Sequence, residues 1–265
     1  MTSTKPGGPS TGLATSGCYA ALLRDCDGGP TTKEHCISNG LLKRVGDRFL
    51  VEGLPWLTES RWLTKSAMVA RVLCERHNNA LSVLDDEIGR LHDVLHGAHQ
   101  GGDVGIHDFD GEDLERWALK VLLGLGASGN LLLNGQRERM ETIPELHLRI
   151  LFGDDEIPEW CGFYYIGGRV PALDADLLSI ALAQYPPADR EAGTVYGVTV
   201  RLLDFQFVTS ITQRLQPGPP QLRYRPHGFI LGDPERGRIR LRWRHTPSNQ
   251  VLVLKMREPP KVEPL

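Results

Sequence analysis

The chain has 265 residues, with 30 Lys/Arg against 33 Asp/Glu for a net charge of −3, long enough for one large domain or two modest ones with a buried core. A composition that is 40% hydrophobic and 24% charged excludes a disordered tail or a fibre. The longest apolar stretch, residues 117–125, is interrupted by Lys120 and is too short for a bilayer.

Residues 1–15 are polar and lack an apolar signal core, so they read as a flexible lead-in, not a secretory leader; the expectation is a cytoplasmic protein away from membranes. Residues 18–35 read as loop and a short strand, with a turn at Asp27-Gly28-Gly29-Pro30. Residues 48–53 alternate as a strand does. From Ser66, Val69, Val72, Leu73, Leu81, Leu84, Ile88 and Leu91 recur at helical spacing, as one helix or two meeting near Leu73. Residues 97–111 read as a Gly/His/Asp loop, 111–125 as an amphipathic helix with acidic residues in its first turn, and 143–152 as a further helix. Beyond Gly162, four segments (162–170, 194–208, 221–231 and 238–254) are rich in β-branched and aromatic residues and separated by Pro/Gly turns, the pattern of an antiparallel sheet. The fold class is therefore α+β. Its expected division is a lead-in (1–15), a small N-terminal module (16–97), an acidic helical connector (98–160) and a β-rich C-terminal domain (161–265).

Charge is unevenly spread. Residues 81–160 hold six basic against seventeen acidic side chains, which reads as solvated helix decoration, while both ends are net basic and would attract a polyanion.

Five cysteines are an odd number for a disulfide framework. Cys18, Cys26 and Cys36 lie ahead of Cys74, and Cys161 stands apart. Cys74 and His77, three residues apart, share one helical face and can hold one tetrahedral ion. Cys18 and Cys26 complete the favoured set, although Cys36 could replace Cys26. Thiolates with an imidazole select zinc, and four protein ligands make a closed, structural site.

The order Cys18…Cys26…Glu34-His35…Cys74-x2-His77-Asn78, with the segments KEHCIS and LCERHNNALSVLD, resembles the HNH endonuclease family and covers about a third of the chain. His77 stands where that family usually has Cys. The resemblance implies a zinc-bound ββα-metal module and metal-dependent hydrolysis of nucleic-acid phosphodiesters, DNA being favoured over RNA, as in restriction or phage-defence enzymes. It implies His35 as general base, because a neutral imidazole titrates near working pH. It also implies Glu34 and Asn78 (or its neighbour Asn79) as ligands of a catalytic divalent cation such as Mg²⁺, which needs few protein oxygens. Asp85, on the helical face of Asn78, could hold His35 in place; local capping or pairing is its commoner use.

Two further patterns have bland explanations. His92, His96, His99 and His107 read as an adventitious cluster. Arg236, Arg238, Arg240, Arg242 and Arg244 alternate along a strand, so all share one face; they could track phosphates or pair with carboxylates of a neighbouring strand. The rival to a nuclease is a non-catalytic zinc module that binds nucleic acid or protein, and a protein partner or self-association stays open.

Overall fold

A computed structural model describes residues 3–51, 54, 56–133, 136–159, 161–167, 178–184, 195–212, 215, 222–233, 235, 237–245 and 249–256. Thr31–His35 (β1) pairs antiparallel with Val69–Cys74 (β4), and the excursion between them carries Asn39–Val45 (α1) and the hairpin of Arg48–Val51 (β2) with Arg61–Thr64 (β3). Directly after β4 come Glu75–Ala80 (α2) and Ser82–His99 (α3). Gly105–Asp110 (β5) then leads straight into Gly111–Ala127 (α4), followed by the small hairpin Leu131–Leu133 (β6) and Gln136–Glu138 (β7), and by Glu145–Leu151 (α5).

The remaining strands are Gly162–Ile166 (β8), Leu178–Gln184 (β9), Val195–Leu202 (β10), Phe205–Ser210 (β11), Leu222–Tyr224 (β12), Gly228–Leu231 (β13), Gly237–Arg242 (β14) and Val251–Leu254 (β15). Five of them form an antiparallel sheet in the order β12-β8-β11-β10-β9. The other sheet, β15-β13-β14-β5, is mixed: β13–β14 is antiparallel, while β13–β15 and β14–β5 are parallel. The antiparallel expectation therefore holds for the larger sheet only.

Helix α4 organises the interior. Asp110 caps it, its carboxylate accepting from the backbone N–H groups of Glu112 and Asp113 at 3.0 and 3.3 Å, which satisfies donors that a helix start leaves orphaned. Every residue of the helix is buried, against α3, α5, β4, β8, β10, β11 and β14. It is thus a central helix enclosed on all sides, the environment expected of one without a solvent face.

The acidic side chains of its first turns, expected from the sequence to be solvated, are instead buried and matched. Glu115 takes a bidentate pair from Arg225 at 2.8 and 2.9 Å, and its Oε1 accepts the Phe163 N–H at 2.7 Å. Glu112 pairs with Arg244 at 3.1 Å, and Arg116 pairs with Asp113 at 3.2 Å while donating to the Ile150 carbonyl. Gly162 is required beside this pair: its φ is +106°, and a Cβ there would lie 2.3 Å from Glu115 Oε1.

Three segments differ from their sequence reading. Residues 69–74, expected as helix, form β4, because the short run Val69-Ala70-Arg71-Val72-Leu73-Cys74 finds a partner in β1; short apolar runs with β-branched residues do not discriminate by period alone. Residues 105–110, expected as loop, form an edge strand whose partner β14 lies about 130 residues later in the chain. The lead-in is docked: Arg76 donates to the carbonyls of Gly7 at 2.6 Å and Pro9 at 3.0 Å, Thr11 donates to the Cys26 carbonyl at 2.6 Å, and Cys26 N–H returns to the Leu13 carbonyl at 3.0 Å. Secondary structure does change near residue 160. The packing, however, crosses that point: one apolar core runs from Cys18 and Cys26 through α3 and α4 to Leu254. No helix among the described residues is long and apolar enough to cross a membrane.

Candidate metal centre and the surroundings of His35

Three separate pieces of chain supply the four candidate zinc ligands. Cys18 and Cys26 bracket the loop and 3₁₀ turn ahead of β1, Cys74 ends β4 as the N-cap of α2, and His77 lies one turn into that helix. Their ligand atoms lie within 4.8 Å of one another, and all four side chains are buried. His77 Nδ1 stands 3.7 Å from Cys18 Sγ, 3.8 Å from Cys26 Sγ and 3.1 Å from Cys74 Sγ. A zinc tetrahedron with Zn–S near 2.3 Å and Zn–N near 2.0–2.1 Å has edges of roughly 3.5–3.8 Å, which the Cys18 and Cys26 distances to His77 match and the Cys74 distance undershoots by a few tenths of an ångström. All five cysteines are free thiols, and Cys36 lies apart from the cluster, its Sγ donating to Ser128 Oγ at 3.7 Å.

The chemistry of the donors agrees with the geometry. Burial pushes the Cys18 and Cys26 thiols up; a backbone hydrogen bond from Cys74 opposes the rise at Cys18, and the Cys74 charge adds to the rise at Cys26, while burial pulls the His77 imidazole down. Neutral imidazole is the ligating form; the thiols need a cation to become thiolates. His77 presents Nδ1 to the three sulfurs, the atom that would hold an ion there, and its ring centroid lies 4.9 Å from that of Phe152. Arg76, between two ligands, closes the outside of the centre: besides the lead-in carbonyls it holds Asp25 at 3.0 Å, and its backbone N–H reaches Asp27.

The residues expected to do chemistry lie on two faces of β1. Thr32 and Glu34 share one face, His35 and Lys33 the other, by the two-residue period of a strand. Glu34 turns inward, where the Lys120 ammonium meets it at 2.7 Å and also holds Asp85 at 2.7 Å. Glu34, expected to face a catalytic cation, is therefore already neutralised by a buried lysine. Burial holds its carboxyl above the ordinary carboxylate range, with Lys120 opposing. Lys120 loses some basicity to burial but more than regains it from the two carboxylates, so it stays charged. Asn78 donates to Thr32 Oγ1 at 3.2 Å, three residues up the strand and on the face opposite His35.

His35 ends β1, paired with Val69, and is half-buried. Burial lowers its pKa, Asp85 opposes the shift, and Lys120, Lys65 and Lys43 add to it. The imidazole is thus neutral at neutral pH and stands in a field set by lysines from three different elements. Lys43 and Lys65 escaped sequence reasoning, because nothing in their spacing places them by residue 35; only the excursion between β1 and β4 does so.

The other clusters resolve more plainly. His92 and His96 stack at 5.9 Å, His99 meets Asp204 at 3.4 Å, and His107 contacts the Val104 carbonyl at 2.6 Å; they form no common site. The arginine stripe is exposed and paired: Arg240 and Arg242 both reach Asp108 of β5, at 2.8 and 3.3 Å, and Arg244 reaches Glu112 and Glu156, each at 3.1 Å. Carboxylate pairing thus takes three of the four described arginines of the stripe, Arg238 being exposed; Arg236 lies outside the described residues. Comparison of this chain with protein-family models, with curated proteins and with solved structures finds no match.

Proposed function

We propose that this protein is a zinc-stabilised nuclease of the HNH type that hydrolyses nucleic-acid phosphodiester bonds, with DNA as the favoured substrate and His35 as the general base. The observation that carries the reading is the convergence of Cys18, Cys26, Cys74 and His77 at the junction of β1, β4 and α2, the strand–strand–helix order of a ββα-metal unit, with His35 at the far end of the same β1. The zinc does no chemistry in this reading; it joins loop, strand and helix. His35 takes a proton from the attacking water, a task for which a neutral imidazole is suited. Lys43 and Lys65 face the incoming phosphate, adding salt-sensitive affinity without sequence choice.

A divalent cation such as Mg²⁺ belongs to this chemistry and, when bound, neutralises charge at the leaving oxygen. Its expected protein ligands do not converge on it as they stand: Glu34 is committed to Lys120, and Asn78 is held by its amide nitrogen at Thr32, three residues along β1 from His35. No side chain is assigned to it, and its requirement is tested by chelation. The same pairing favours one second reading, a zinc module that binds nucleic acid without cutting it.

Zinc-loaded wild-type protein is expected to nick or linearise plasmid DNA when Mg²⁺ is supplied. His35→Ala is expected to lose roughly 10²–10⁴-fold in rate, the usual contribution of general-base catalysis, with zinc content and circular dichroism unchanged. Full cutting by His35→Ala would remove the histidine from the chemistry; no cutting by wild type with any divalent metal, but retained DNA binding, would leave the second reading. The Lys43→Ala/Lys65→Ala double variant is expected to weaken DNA binding and flatten its salt dependence by up to about two units of log–log slope, and an unchanged slope would take both lysines off the substrate path.

A further inference from the structure

The segment that carries His35 is fastened on both sides by a buried polar network, and each fastening leads to one ridge of α4. Lys120 is 3% exposed, and its Nζ lies 2.7 Å from Glu34 Oε1 and 2.7 Å from Asp85 Oδ2. Ser38, buried in turn, donates its hydroxyl to Asp85 Oδ1 and accepts the Trp117 indole N–H at 2.6 Å. Between these two points, Cys36 N–H donates to the Met68 carbonyl at 3.1 Å, and Cys36 Sγ reaches Ser128 Oγ. A Cβ added to Gly124 would lie 3.6 Å from the Cys36 Cα, so the backbone rests close against the helix there. Trp117, Lys120, Gly124 and Ser128 follow one another at helical spacings of three and four, which aligns them along one side of α4 and its cap.

Stability alone does not account for this arrangement. The buried Lys120 ammonium and Glu34 carboxylate lose their hydration, while Asp85 keeps part of its own at 25% exposure, and apolar side chains in place of a buried ion pair serve folding as well or better. What the network does supply is direction. Its partners tie residues 34, 36 and 38 to α3, to α4 and its cap, and to Met68 just ahead of β4, on both sides of His35 in the chain.

We propose that Lys120 is a positioning residue for His35: by gripping Glu34 and Asp85 together it holds the end of β1 on the α4 ridge, so that the imidazole projects from a rigid support. The proposal rests on the assignment of His35 as general base. Lys120 itself touches no substrate.

The test uses the full-length, zinc-loaded chain with supercoiled plasmid and Mg²⁺, together with amide hydrogen exchange. Lys120→Met is expected to lower kcat by roughly 10–100-fold, the penalty of misplacing a reacting group by about an ångström, while KM for the plasmid stays within about twofold. Exchange at the Cys36 amide is expected to quicken with zinc content held at its wild-type level. If Lys120→Met does not fold, Ser38→Ala, which cuts the same network without stranding a charge, is expected to move both readings in the same direction to a smaller extent. Unchanged kcat in a folded variant overturns the positioning role, whatever the exchange shows; so does an equal loss in kcat and rise in KM. If wild type does not cut at all, the nuclease reading fails by itself, and the grip on β1 is then decided by amide exchange alone, where an unaltered Cys36 rate overturns it.

Discussion

Chelating the metal from the centre of Cys18, Cys26, Cys74 and His77 is expected to unfold the unit made by the loop ahead of β1, β4 and α2, and Cys74→Ser is expected to do the same without chelator. The pieces of chain that bring the four ligands have little regular structure of their own: α2 is only six residues long, far below the length at which a helix stands by itself, and the loop from Cys18 to Cys26 contains a single 3₁₀ turn. Without the ion, three thiols and an imidazole crowd together at 0–5% exposure, and only weak thiol–imidazole contacts offset their lost hydration. Structural zinc supplies on the order of 10 kcal/mol of binding free energy, comparable with the whole stability of an ordinary domain. The prediction reaches further than a local loss, because Cys18, Cys26 and Cys74 belong to the same apolar core as α3 and α4. Metal analysis should return about one zinc per chain, the content of a single closed site. A thermal transition that stays put after the zinc is removed would end the structural role given to it here.

Arg225→Met is expected to destabilise the fold by about 3–5 kcal/mol, the usual result of leaving a buried carboxylate without its partner. Glu115 is 1% and Arg225 5% exposed at the side chain, the two form a bidentate pair, and the carboxylate also anchors the start of β8 through the Phe163 N–H. Arg225 adopts φ +37°, in the left-handed region that a non-glycine residue enters only at some strain, so the pair also holds a backbone turn between β12 and β13. The Glu115→Gln/Arg225→Met double variant is expected to recover part of the loss, since it no longer buries a lone charge, while the Phe163 amide keeps an acceptor. Denaturant titration of the two variants reads both effects. A single variant that loses less than about 1 kcal/mol would show that water reaches the site and that the helix is less enclosed than its packing implies.

The candidate metal-ligand group is legible in the sequence because its signal is chemical: three thiols and an imidazole, two of them three residues apart. A short strand within residues 18–35, the helices α3 and α4 and the β-rich second half are legible for a similar reason, since periodicity and turn residues act within a dozen positions. The assignment failed where a partner far along the chain decided the outcome. Residues 69–74 carry apolar positions compatible with either period and became β4 only because β1 lay ready to pair with them; residues 105–110 became β5 only because β14 arrived alongside.

The same division runs through the candidate site. Residue types and order determined that an ion-binding group and a Glu-His pair exist, since ligand chemistry belongs to the side chain wherever it lies. Which carboxylate is free, and which is spoken for, was decided by the tertiary structure. The acidic residues of α4 look solvated along the chain and are buried against Arg116, Arg225 and Arg244. Glu34 looks like a cation ligand beside its histidine, yet the two-residue period of β1 turns it inward onto a lysine 86 positions away. The physical reason is the same in each case: a charge in a core must find an opposite charge, and where that partner lies is a property of packing that no local pattern carries.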